Sequence, residues 1–154
     1  MARYLIVVCL CLILFVATAV SEEKFTLAIA SPVAAQDFRA KGASFVVRTE
    51  GCADPAKSQI SGTAEGILKE VRKSVTLQVV AMPKPGVYAV HQGWPNEGDW
   101  VVNLKGSCAD ATAGALVPIG PKGFIRESAK FFPRPATDAE IEASLKALTK
   151  GEKK

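Results

Sequence analysis

From Phe25 to Ile125 the chain never spaces its apolar residues as a helix would. Short apolar or alternating runs stand there instead, separated by Gly, Pro, Asn and Asp, which is the pattern of an antiparallel sandwich or barrel. The runs predict strands over 25–30, 43–49, 60–68, 71–81, 86–91 and 100–105, with a weaker pair over 115–119 and 123–126. Ser74-Val75-Thr76-Leu77-Gln78-Val79 alternates strictly, so Val75, Leu77 and Val79 share one face. Pro85-Gly86 is a turn, because proline presets φ and glycine accepts a positive φ. Pro95-Asn96-Glu97-Gly98 makes a second turn, after which Trp100, Val102 and Leu104 point one way into a core. Gly62 and Gly66 imply a bulge or a close backbone approach, so no central place in a sheet is assigned to 60–68. Lys69-Glu70 joins two strands without Gly or Asn, which leaves its turn type open.

One helix is expected, at the C-terminal end. Thr137-Asp138-Ala139-Glu140 reads as a capping box. Asp138 and Glu140 suit the positive end of the helix dipole. Ile141, Leu145 and Leu148 form one apolar stripe, and Gly151 is a natural stop. Lys130-Phe131-Phe132-Pro133-Arg134-Pro135 reads as an extended linker in which both phenylalanines pack.

The N-terminus carries a leader pattern. Met1-Ala2-Arg3-Tyr4 is a short basic start, and Leu5 to Val16 is an unbroken apolar run. That run falls short of the roughly 20 residues a spanning helix needs. Ala17-Thr18-Ala19 fits the small-x-small rule for cleavage. The expected organisation is therefore a signal peptide over 1–19, a β-sandwich domain over 20–135, an amphipathic helix over 136–150 and a basic tail over 151–154. The mature protein is expected in the periplasm or outside the cell, without a stable membrane anchor.

Loss of Cys9 and Cys11 with the leader leaves Cys52 and Cys108 of the four cysteines. Two cysteines in an exported domain are expected to form a disulfide. Removing Arg3 lowers the formal charge of +4 by one. So mild a charge does not call for nucleic acid.

Pro85-Gly86-Val87-Tyr88-Ala89-Val90, followed by Pro95-Asn96-Glu97-Gly98-Asp99-Trp100-Val101-Val102, resembles the small exported sandwiches of the bacterial YtkA-like kind. There a proline-glycine-x-tyrosine hairpin precedes a glycine-x-tryptophan strand. The resemblance implies an all-β, immunoglobulin-like antiparallel β-sandwich of about seven strands with a C-terminal α-helix. Some relatives are associated with copper handling or respiratory-complex assembly. That role is not carried over, because the metal-ligating residues are missing.

Chemistry-bearing groups are few. His91 is the one histidine. A hydrolase reading would use it as base, with Asp99 or Glu97 as orienter and a Ser or Cys as nucleophile. No Gly-x-Ser-x-Gly is present, and Ser107 in Gly106-Ser107-Cys108 is not a nucleophile elbow. A copper or zinc carrier needs three or four converging ligands. The mature chain offers His91, Met82 and two disulfide-bound cysteines, beside Glu97, Asp99 and Asp110 as acids that could share a surface with His91. No metal site and no cofactor are assigned. Trp94, between Gly93 and Pro95, is expected at the surface, where Tyr88, His91, Gln92 and Trp94 would form a binding patch. The leading expectation is a non-enzymatic exported module that binds another envelope or extracellular protein. A small hydrolase centred on His91 and a metal carrier are the alternatives.

Overall fold

A computed structural model describes residues 23–32 and 37–151. The expected leader over 1–19 and all but the first residue of the tail over 151–154 lie outside them.

The chain folds as two antiparallel sheets packed face to face, with a helix on the outside of one. Among the described residues there are ten strands: β1 (Thr26–Ala30), β2 (Ala43–Glu50), β3 (Gln59–Leu68), β4 (Val71–Thr76), β5 (Gln78–Ala81), β6 (Val87–His91), β7 (Asp99–Cys108), β8 (Ala111–Gly120), β9 (Gly123–Phe124) and β10 (Lys130–Phe132). The first sheet runs β1-β2-β6-β5. The second runs β10-β8-β7-β3-β4, with β9 beside β8. Ten exceeds the eight predicted runs, and the expected seven or so strands, for two reasons. The run over 71–81 breaks at Leu77 into β4 and β5, and the expected linker forms β10 along β8.

The break at Leu77 is a change of sheet. β4 pairs with β3 in one layer and β5 pairs with β6 in the other. The alternation survives the crossing. Val75, Leu77 and Val79 all face the inter-sheet core, as their spacing requires. That core holds Phe25, Leu27 and Ile29 of the first edge, Phe45 and Val47 of β2, and Trp100, Val102 and Leu104 of β7.

β3 lies between β7 and β4 rather than at an edge. Its glycines are close approaches. A Cβ at Gly66 would run into the Trp100 ring, and one at Gly62 would meet the Asn103 carbonyl. The β3–β4 turn sets both Lys69 and Glu70 at positive φ, 49° and 66°, the two-residue arrangement that matches strand twist.

β8 was the weaker strand in the sequence because it does not alternate. Its middle six residues, Ala113 to Pro118, are buried in unbroken succession, so both faces are covered there. Ala113, Ala115 and Val117 face the core, while Leu116 and Val101 of β7 meet Ile141 and Leu145 of the helix α1 (Asp138–Gly151). The capping box forms as expected. Thr137 N donates to Glu140 Oε2 at 2.7 Å, and Glu140 N donates to Thr137 Oγ1 at 3.4 Å. Phe132 packs beside α1, but Phe131 is half exposed, contrary to expectation, because alternation along β10 turns it to the other side.

Candidate functional site

The two ends of the sandwich differ. At one end Cys52, just past β2, is disulfide-bonded to Cys108, the last residue of β7, with a Cα separation of 5.9 Å. The bond joins the two sheets. Beside it Tyr88 turns inward from β6 and donates its hydroxyl to the Ser58 carbonyl, next to Ser58 Oγ.

The other end is open. The start of β2, the end of β3, the β6–β7 loop, the start of β7 and the end of β8 surround a cleft of about 630 Å³. This volume is in the range of small-molecule and peptide-side-chain sites. Trp94, Trp100 and Phe124 back it with aromatic rings, and Gln92 and Asn96 line it with polar side chains. The loop is held by its own side chains. Gln92 Nε2 donates to the Trp94 carbonyl at 3.0 Å and to Asn96 Oδ1 at 2.6 Å, and Trp100 Nε1 donates to the Glu97 carbonyl at 2.8 Å. Both Gln92 amide hydrogens are thereby used. The Gln92 carbonyl and the Asn96 NH₂ keep capacity for a guest.

Trp94 corrects the sequence reading. It is 5% exposed and belongs to the inter-sheet core. The Gly93 and Pro95 flanks mark a loop, but this loop folds inward and its indole plugs the open end. The expected patch of Tyr88, His91, Gln92 and Trp94 is therefore divided. Tyr88 faces inward beside the disulfide end. His91 points to the outer face of the first sheet. Only Gln92 and Trp94 meet at the cleft.

The His91 ring stands beside a short 3-10 turn at Phe38–Ala40, with Nε2 donating to the Arg39 carbonyl at 3.1 Å. Asp99 points to the outer face of the second sheet, where its Oδ2 accepts from Thr149 of α1 at 3.1 Å. His91 and Asp99 thus face opposite outsides of the sandwich, and the expected His91–Asp99 pairing is not made. Asp110 lies in the β7–β8 hairpin, at the far end of a ten-residue strand from Asp99, roughly 30 Å away along the strand. The acids expected to share a surface with His91 are dispersed. Among the described residues no group of three or more His, Cys, Asp or Glu converges as a metal site would require.

One polar cluster was not legible in the sequence. Glu65 is 8% exposed on the outer side of β3. Thr63 Oγ1 and Ser74 Oγ each donate to its Oε1 at 2.7 Å, and Arg72 Nε lies 3.5 Å from its Oε2. Arg72 also reaches Asp138 at the start of α1. That contact holds the Asp138 carboxyl below the usual carboxylate range. The cluster ties the helix to the sheet. Its members are brought together by the β3–β4 register, which no spacing within either strand reveals.

The chain matches no protein-family model, no curated protein and no solved structure. Among the described residues no helix is long and apolar enough to cross a membrane.

Proposed function

We propose that the protein is an exported, non-enzymatic binding module of the cell envelope or extracellular space, and that it recognises a partner protein through the open end of its sandwich. The observation that carries this reading is the asymmetry of the two ends. One is crosslinked between the sheets, while the other gathers strand ends and the β6–β7 loop around a cleft lined by aromatic and amide side chains. A rigid scaffold presenting loops at one end is the usual arrangement of a binding domain. Export is supported by the leader pattern before Val20 and by a disulfide of the kind that persists in oxidising compartments. Kinship with the immunoglobulin-like, YtkA-like sandwiches is part of the same proposal. It is supported by the Pro-Gly hairpin entering β6 and by Gly98-Asp99-Trp100 opening β7.

A photo-crosslinking residue placed at Asn96, and in a control at Glu50 near the disulfide end, tests the reading in envelope fractions. A discrete protein adduct from position 96 alone supports it. Equal adducts from both positions, or none from 96, overturn it. Ester or peptide hydrolysis that disappears in His91→Ala would also overturn it. So would stoichiometric copper or zinc in protein purified without chelator.

A further inference from the structure

We propose that the free edge of β5 is a self-association surface, on which two copies of the chain pair β5 with β5, antiparallel, about a two-fold axis at Val80. β5 ends the first sheet, with β6 on one side only. The pairing does not depend on the partner-binding reading, because it uses the side of the sandwich and not its open end.

The ladder fixes which backbone groups are free. Gln78 and Val80 stand opposite His91 and Ala89, and just past β5 Met82 N donates to the Val87 carbonyl at 2.9 Å. Bonded and non-bonded pairs alternate along an antiparallel ladder. Gln78, Val80 and Met82 therefore turn their backbone groups to β6, and Val79 and Ala81 turn theirs away from it. Among the described residues no backbone group bonds to that outer side. The Arg39 guanidinium reaches it, with Nη1 3.5 Å from the Ala81 carbonyl, but a carbonyl oxygen keeps a second lone pair.

Unpaired edges are ordinarily blunted by charge or proline. β4 carries Arg72 and Lys73, β10 carries Lys130, and β1 runs beside β10. Gln78-Val79-Val80-Ala81 has neither charge nor proline. Phe38 stands at the same edge. It is 79% exposed, the most of any large apolar side chain among the described residues. The guanidinium that reaches Ala81 also lies 5.7 Å from the centre of the Phe38 ring. A strand docked on β5 would cover that ring, and burying an aromatic favours association.

The chain itself supplies the matching strand. With the axis at Val80, Val79 of each copy opposes Ala81 of the other, and these are the residues with free groups. Each such pair exchanges both its hydrogen bonds. The faces agree as well. Val79 lies on the core side and Ala81 shares it by alternation, while Val80 meets its own copy on the outer side. An axis at Val79 would instead need the Leu77 N–H, which already donates to the Gly62 carbonyl of the other sheet at 3.1 Å. Antiparallel pairing turns the two open clefts in opposite directions. On the partner-binding reading, the dimer would then bridge two partners.

Sedimentation equilibrium of the purified protein, in the form the cell accumulates, tests the pairing. A monomer–dimer equilibrium without larger species is expected, with its midpoint between about 1 μM and 1 mM. Ala81→Pro removes an N–H that faces away from β6, a place where an edge strand tolerates proline, and should abolish the dimer. Phe38→Ser changes an exposed side chain and should weaken the dimer by roughly tenfold or more. Each variant should keep its thermal midpoint within a few degrees of wild type at low concentration. If Ala81→Pro does not fold, Phe38→Ser decides. A monomer throughout that range, growth beyond the dimer, or wild-type dimer strength in folded Ala81→Pro or in Phe38→Ser would overturn the proposal.

Discussion

Cys52 closes the run of β2 and Cys108 closes that of β7, so their disulfide links opposite sheets at one end of the sandwich. The bridge spans 56 residues of sequence. Chain-entropy arithmetic for such a loop puts its stabilisation at up to about 4 kcal/mol. That is a large share of the ~5–15 kcal/mol by which a domain is ordinarily stable. Cys52→Ala with Cys108→Ala should lower the urea midpoint accordingly, and reductant should do the same to the wild type. A loss below about 1 kcal/mol would show that the bridge contributes little.

Gly66 lies directly against the Trp100 ring, and no methyl group fits between them. Trp100 is itself fixed by its bond to the Glu97 carbonyl and is 2% exposed. Gly66→Ala should therefore destabilise by about 1–3 kcal/mol, as overpacking of a tight core does. Thermal unfolding checks this, together with tryptophan fluorescence, whose emission should shift red as the indole is displaced. Gly123→Ala makes a useful contrast. It meets no neighbouring atom, and any cost there comes from its φ of 112° alone.

At the β3–β4 turn, Lys69 and Glu70 both occupy the left-handed region. An L-residue with a side chain pays roughly 1–2 kcal/mol for that conformation. Lys69→Asn with Glu70→Gly supplies the residues this turn favours. It should raise stability by about 1 kcal/mol, seen as a higher thermal midpoint. An unchanged or lower midpoint would show that the strain is already offset by the hairpin around it.

Glu140 is pulled from an ordinary value of 4.5 down to about 2 by the Arg134 guanidinium, and next by the Thr137 backbone amide. Because its pKa is depressed in the folded state, the stabilisation is complete above the ordinary value. It is lost as the pH falls from about 4.5 toward 2. Asp138 acts in the same direction through Arg72. The thermal midpoint should fall across this window, and Glu140→Gln should flatten the fall. A Glu140→Gln protein with the wild-type pH profile would place the acid sensitivity elsewhere.

What the sequence revealed and what it hid follow from the range of the interactions. The Ser74–Val79 alternation, the Trp100-Val102-Leu104 face and the Thr137–Glu140 cap are local patterns, and each appears where its spacing places it. β8 was faint because α1 covers its second face, which removes the polar half of the alternation. Trp94 was misplaced because Gly and Pro report that the backbone turns, not toward which side an indole goes. At the candidate site Gln92 and Asp99 were visible as residue types. That one lines the rim and the other stands on the helix side depends on how the β6–β7 loop crosses between sheets. The Glu65 cluster depends on strand register and helix docking, both of which are set by distant contacts.

The strand that bends at Leu77 belongs to both layers, pairing with β3 before the bend and with β6 after it. Neither layer then has a complete set of partners until the other exists. The two cannot melt in turn, and a blow to either is felt by the whole. The architecture favours all-or-none unfolding, with a tryptophan at the open end and a tyrosine at the crosslinked end reporting one common transition.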